Sequence, residues 1–369
     1  LDFVSKSIKH LNVESEWLCD LFSGTGVVGG TLKDDYKIHA NDVQAYSSIL
    51  SHTYLLNLRG QLSADCLEEI GVKVNHMVND FKERVSDIAF DYSKIEDYAD
   101  LKKIEQQQQQ LISSNFNIGF HLFTKYYSGT YWSYDQCIWI DSIRAVAEQY
   151  KGEPQYYPIL SSLIFAMAYV SQSTGHYAQY RDVTEENYSD ILNFRKREIW
   201  PYFERKFTEL IESVNGNSND FRVTTLDYVD CLRIIEEDSV IYSDPPYQSA
   251  HYSRFYHAIE TLVKYDYPEV SYKGRYRNDR HQSPFCKKTT VDNAFSMMFE
   301  GVALKRSHLA LSYSDTGMID LKTIIDISKK HMVDYTCEVL EKDHIHSTMG
   351  RSDEKNQDVK EFIVLFKRQ

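Results

Sequence analysis

The sequence predicts an α/β protein: an open, doubly wound sheet of seven strands with a mainly helical domain inserted into it. Three observations lead there. A short apolar run near the start of the chain passes directly into a glycine cluster, residues 58–219 show no clear succession of strands, and strand-like runs return after residue 220.

Residues 16–22 (EWLCDLF) form an apolar run bounded by turn signals, the pattern of a parallel strand buried on both faces. Gly24, Gly26, Gly29 and Gly30 follow at once, so a strand, a tight turn and a helix are expected. Residues 36–40 read as a second strand ending at Asn41 and Asp42, and residues 43–57 have helical spacing, which completes a βαβα start. Residues 58–219 carry long polar and aromatic stretches of helical periodicity and a run of five glutamines, and are expected to form a separate helical domain. The sheet domain is then made of residues 1–57 and 220–369. Its later strands are expected at 221–227, 239–243, 308–313, 335–341 and 361–366, with a helical segment at 319–330. With the two early strands these make seven, and the polar connector 343–360 is expected to close the sheet as an antiparallel hairpin.

At 369 residues and 42% hydrophobic, the chain has material for one large or two modest domains. No apolar run approaches the roughly 20 residues of a membrane span, and residues 1–10 lack the marks of a signal peptide, so no membrane association is expected. The missing initiator Met suggests a start inside a longer protein. Six scattered cysteines, with no CxxC pair and no clustered His, suggest neither a metal site nor a disulfide framework, and a reducing cytoplasm is the expected location. A formal charge of -13 argues against retention on nucleic acid by bulk electrostatics. Two basic runs stand against that sum: Arg195, Lys196 and Arg197 with Arg205 and Lys206, and Lys273, Arg275, Arg277 and Arg280 with His281.

Residues 20–29 (DLFSGTGVVG) place glycines where backbone must approach a ligand closely, beside a helix N-terminus. The same glycines satisfy GxGxxG, so this motif alone leaves a dehydrogenase open. Asp42, ending the next strand, suits either cofactor because its carboxylate accepts ribose hydroxyls. Asp244, Pro245, Pro246 and Tyr247 discriminate. They follow a predicted strand end, where open α/β sheets bind ligands, and the two prolines stiffen the loop while withholding N–H donors. Acceptors remain, suited to grip an exocyclic NH2 group and localise its lone pair, while Tyr247 offers a ring for a base to stack on. Nothing in that loop serves hydride transfer.

In this order the motifs resemble the DNA adenine methylases of the D12 class, the alpha group of amino-methyltransferases. The resemblance covers residues 17–42 and 221–366, and the inserted domain matches in placement and aromatic character. It implies a Rossmann-like methyltransferase sheet with an inserted target-recognition domain, S-adenosylmethionine as cofactor, and transfer to N6 of an adenine flipped out of double-stranded DNA. It also implies a prokaryotic or phage-encoded protein and a cognate restriction endonuclease as candidate partner. By the same likeness Asp20, Phe22, Ser23, Gly24 and Gly26 line the methionine end of the cofactor, Asp42 its ribose, and Asp227 with Tyr228 its adenine. Asp244, Pro245, Pro246 and Tyr247 form the catalytic loop, with Asp244 also facing the cofactor.

Residues 251–257 (HYSRFYH) and then Lys273, Arg275, Arg277 and Arg280 alternate aromatic and cationic side chains and are read as a DNA-facing loop. Within the insertion, residues 125–132 with Tyr131, residues 173–181 with His176, and Arg195 are region-level candidates for DNA contact. Asp141 and Arg144 are expected on a salt-bridged surface face of a helix. The motifs leave open N4 of cytosine, adenine in RNA or a side-chain amide as acceptor, and a catalytically idle DNA-binding protein of the same fold.

Overall fold

The computed structural model describes residues 1–173, 176–213, 220–249, 251–347 and 356–369, with side chains at all of these except 343–347 and 356–359. The chain divides into two compact units. The first comprises Leu1–Leu56, Asn217–Ser253 and His281–Gln369; the second comprises Asn57–Gly216 and Arg254–Arg280.

In the first unit, β1 (Trp17–Asp20), β2 (Lys37–Asn41), β3 (Phe221–Thr224) and β4 (Val240–Ser243) are parallel. The short strands β5 (Val270–Ser271) and β6 (Tyr276–Arg277) form a separate antiparallel ladder in the second unit. β7 (His308–Ser314), β8 (Tyr335–Ser347) and β9 (Asn356–Arg368) complete the sheet in the order β3-β2-β1-β4-β7-β9-β8. β7 runs parallel to β4, and β9 runs antiparallel to both β7 and β8, so the seven strands and the closing hairpin are as expected. Residues 348–355, between these last two strands in sequence, lie outside the described residues, as do Thr174 and Gly175 of the 173–181 segment.

Strand alternation explains why residues 16–22 read as one apolar run. Leu18 enters a core with Ile8, Leu32, Ile38 and Val240, while its neighbour Cys19 points to the other face, among Leu232, Ile241 and Phe295. The order also sets the site. The chain moves outward from β1 to β2 and β3, then returns to the other side of β1 with β4, and at such a reversal the strand ends leave a crevice for ligands.

The second unit centres on the helix Tyr134–Gln149, whose start is fixed by a reciprocal pair: the Ser133 hydroxyl accepts from Gln136 N, and the Gln136 side chain accepts from Ser133 N. Both faces of this helix are covered, which corrects the expectation for Asp141 and Arg144. Asp141 accepts from Phe123 N (2.9 Å), Thr124 N (2.8 Å), Thr124 Oγ1 (2.7 Å) and the Tyr265 hydroxyl (2.5 Å), capping the helix Leu122–Tyr127. Arg144 donates through Nε to Leu262 O at 3.0 Å.

Residues 254–280, which the sequence runs on with residues 220–369, pack with the helical unit instead. Their polar groups find partners there: the buried His257 ring bonds Tyr177 O at 2.8 Å, and Tyr177 N donates to Phe255 O at 2.8 Å. Partners some 80 positions away leave no local signal in the sequence.

Candidate active site

Gly24 and Gly26 stand at φ +50 and +73, the left-handed region where a side chain is strained. Asp42 ties this turn in place: its Oδ2 accepts from Gly24 N at 3.0 Å and its Oδ1 from Gln44 N at 2.9 Å. Ser23 holds the turn from below, its N donating to Asn41 O at 2.8 Å and its hydroxyl meeting that of Ser47 at 3.0 Å. A Cβ on Gly26 would sit 2.9 Å from Ser51 Oγ and 3.0 Å from Ser51 Cα. Gly26→Ala is therefore expected to destabilise the sheet unit by more than the roughly 1–2 kcal/mol of a left-handed alanine alone, read as a lower urea midpoint together with weaker cofactor binding by calorimetry.

On the far side of β1, Ser243 pairs with Leu311 of β7, so Asp244 emerges opposite Ser312, whose hydroxyl hydrogen-bonds it. Tyr247 O accepts from Met318 N at 2.8 Å, tethering the end of the loop. The two loops meet: Phe22, Gly24, Asp42, Asp244, Pro245 and Pro246 line one cleft. His251, Tyr252, Ser253 and His281 complete its wall, with Val43, Gln44, Tyr46 and Ser283, which sequence reasoning missed. Position directly after a strand-terminal acid was the available signal for Val43 and Gln44; Ser283 carries none.

Electrostatics in the cleft favour a cation. The Asp20 carboxyl, buried at the end of β1, is pushed up to about 8 by loss of hydration and then by the charges of Asp244 and Asp42. Its Oδ2 has no hydrogen-bond partner. Asp244 is reached by solvent through the cleft mouth but is ringed by protein on its other sides. That crowding pushes it up to about 6, with the Ser312 hydroxyl opposing and Glu361 adding to the rise.

Other expected site residues are not part of the lining itself. Tyr228 is buried, its hydroxyl donating to Ala294 O at 3.2 Å and its ring stacked on Phe22 at 6.0 Å. Asp227 caps the helix Tyr228–Ile234 by accepting from Val229 N at 3.0 Å. Tyr247 is half-buried, with its ring edge-on to Tyr313 at 5.9 Å.

The helical unit corrects most of the DNA-contact candidates. Arg195 is sealed in an ion pair with Glu105, donates to Thr130 O at 2.7 Å, and has a side chain 0% exposed. Arg277 is 2% exposed and forks between Asp266 (2.6 and 2.7 Å) and Asp279 (3.0 and 2.8 Å). Arg275 donates to the carbonyls of Tyr126 and Gln109. Tyr131 is in the core, its hydroxyl donating to Tyr177 O at 2.5 Å, and His176 is buried against Phe255 at 4.6 Å. These cations are engaged within the fold, because a buried guanidinium is tolerated only where carboxylates or carbonyls meet it. Lys273, paired with Asp182, and Arg280, over Tyr276, keep solvent-exposed surface.

A sheet of this order, closed by a reversed strand between β7 and β8, is the methyltransferase fold. The chain belongs to the D12 class N6 adenine-specific DNA methyltransferase family, whose model matches residues 2–327. It is similar to the modification methylase LlaI of Lactococcus lactis subsp. lactis, 24% identical across 100% of this chain and 53% of that protein. It is 26% identical to the type II methyltransferase M.FokI of Planomicrobium okeanokoites over 90% of this chain and 45% of that one. With the type II methyltransferase M.NlaIII of Neisseria lactamica the identity is 23%, over 85% of this chain and 79% of the relative. The chain thus spans about half the length of the first two. Among the described residues no helix is long and apolar enough to cross a membrane.

Enzymes of this family use S-adenosylmethionine, and the residues present fit it. The cofactor carries a sulfonium and an ammonium, matching the cluster of Asp20, Asp42 and Asp244. Unpartnered buried atoms of both kinds wait in or beside the cleft, the acceptor Asp20 Oδ2 and the donor Gln44 Nε2.

Proposed function

We propose that this chain transfers the methyl group of S-adenosylmethionine to N6 of adenine in double-stranded DNA, as the modification member of a restriction–modification pair. One observation carries the reading: the Asp-Pro-Pro loop after β4 and the glycine turn tied to Asp42 line the same cleft. The cofactor, when bound, supplies an electrophilic methyl group. Asp42, at the end of β2 beside the glycine turn, accepts the ribose hydroxyls, Phe22 walls the cleft, and Asp20 meets positive charge. Asp244 accepts N–H from the target amine, which localises the nitrogen lone pair and fixes its direction, and its carboxylate is the place for the proton released afterwards. Pro245 and Pro246 keep the loop rigid and offer no competing donors. An adenine in a duplex hides this amine in its base pair, so the base must leave the stack; Tyr247 is assigned to support it there. The helical unit is assigned to recognising the DNA target.

The test is chemical. Duplex DNA is incubated with the protein and methyl-labelled cofactor, digested, and its nucleosides identified by mass spectrometry. N6-methyldeoxyadenosine is expected; N4-methyldeoxycytidine, or no labelled nucleoside, would overturn the reading.

Cofactor binding is also expected to release protons near neutral pH. Asp20 is largely protonated at pH 7 when its pKa is about 8, and a cation beside it lowers that value, so a proton leaves as the cofactor enters. Affinity then rises with pH up to about 8 and levels above it. Calorimetry in buffers of different ionisation enthalpy reads this directly, and a heat independent of buffer would contradict it.

A further inference from the structure

We infer that Cys19, His39 and Cys231 form a binding site for one divalent cation of the zinc group, buried beneath the sheet and separate from the catalytic cleft. The three residues come from different elements. Cys19 on β1 pairs in register with His39 on β2, and Cys231 reaches them from the helix Tyr228–Ile234. All three are buried, at 1%, 2% and 0% exposed. The two sulfurs lie 4.0 Å apart, and both lie within 4.8 Å of a ring nitrogen of His39.

That spacing suits a bridging ion. Two sulfurs each about 2.3 Å from zinc are separated by about 3.8 Å in a tetrahedral site and about 4.0 Å in a trigonal one. A disulfide needs about 2.05 Å between them, so the two thiols are not cross-linked: they share a hydrogen bond that a bound cation would replace.

The hydrogen bonds around His39 fix its tautomer. Asn41 donates through Nδ2 to Leu21 O (3.2 Å) and Leu226 O (3.1 Å), and its Oδ1 accepts from Leu226 N (3.2 Å), so its amide orientation is set by backbone. The Thr224 hydroxyl spends its one proton on Asn41 Oδ1 at 2.8 Å. The 2.9 Å contact between Thr224 Oγ1 and His39 Nε2 must then be donated by the imidazole. This leaves Nδ1 with a bare lone pair in a buried site. A ligating histidine held through its other N–H is the usual support of a metal centre.

Charge balance favours a divalent ion. On binding, each thiol gives its proton to solvent and forms a sulfur–metal bond; two thiolates and a neutral imidazole around a dication leave no net charge in the apolar core. The ion would pin the helix Tyr228–Ile234 to β1 and β2, and this helix backs the cleft wall through the stacking of Tyr228 on Phe22.

Cadmium is the probe, titrated into reduced protein carrying Cys66→Ser and Cys337→Ser, the two thiols that are not buried. A sulfur-to-cadmium charge-transfer band saturating at one equivalent is expected, competed by zinc and lost in Cys231→Ser. Thr224→Val, which removes only the support of the imidazole, is expected to weaken binding by about 10–100-fold. X-ray absorption of the zinc-loaded protein should show two sulfurs and one nitrogen in the first shell, which decides the matter even if Cys231→Ser fails to fold. No band at one equivalent, a band unchanged by Cys231→Ser, or a shell without two sulfurs would overturn the assignment.

Discussion

Asp244→Asn is expected to lower kcat for DNA methylation by at least about a hundred- to thousandfold, the scale found when a preorganised polar group is removed from a reacting centre. The substitution keeps the shape of the loop but replaces an acceptor-only carboxylate with an amide whose NH2 would face the hydrogens of the target amine. Cofactor binding should survive, because the glycine turn and Asp42 are untouched and the charge next to Asp20 is relieved. Single-turnover methylation and calorimetric titration of the cofactor separate the two effects; near-normal turnover would end the catalytic assignment. The same carboxylate sets the pH dependence. Asp244 accepts as an anion, so the rate should rise with pH through about 6, the value to which the cleft pushes it. The acids facing it are Asp20 on β1, protonated in this range, and Glu361 on β9, with the Tyr242 and Tyr247 hydroxyls beside them. Ser312 donates to the ionised form, so Ser312→Ala should move the acid limb of the profile to higher pH, and Ser312→Thr should restore it.

The second large effect lies in the helical unit. Glu105→Gln is expected to destabilise that unit by about 3–5 kcal/mol, the cost of leaving a buried charge without its partner. Arg195 Nε lies 3.0 Å from each Glu105 oxygen, and the side chains are 0% and 4% exposed. The pair also anchors a chain of polar groups: Tyr92 donates to Glu105 at 2.7 Å, Gln108 donates to Tyr92 at 2.6 Å, and Tyr134 N donates to Gln108 at 2.8 Å. Against a total stability of about 5–15 kcal/mol for a typical domain, the loss should move the urea midpoint by a molar unit or more, for a slope of about 1–3 kcal/mol per molar. Replacing both partners, Glu105→Leu with Arg195→Met, should recover much of it, since neither charge then remains buried. A single variant within about 1 kcal/mol of the parent protein would show the pair to be dispensable.

Much of the sheet unit was legible because its signals are local. The run at residues 16–22 became β1 and the glycine turn, the acid at Asp42 closed β2, and Asp244 followed β4 as its prolines implied. The cleft they share was legible as well, because strand-end loops of an open sheet converge where the strand order reverses. Where the sequence misled, it did so through charge. Arg195 and Arg277 look like phosphate ligands in a basic run, yet each is neutralised inside the fold. Asp141 looks like one half of a surface ion pair, yet it caps a helix from within the core.

By itself, then, the sequence determined the class of sheet, the strand endings that carry chemistry and the backbone positions only glycine fills, because apolar periodicity, proline and left-handed turns act over a few residues. Tertiary structure alone decided which cations reach solvent, which unit holds residues 254–280, and that Cys19, His39 and Cys231 share one buried point. Each of these depends on partners tens to hundreds of positions away, and a charge or a thiol carries no mark in its own segment of what the fold will set against it.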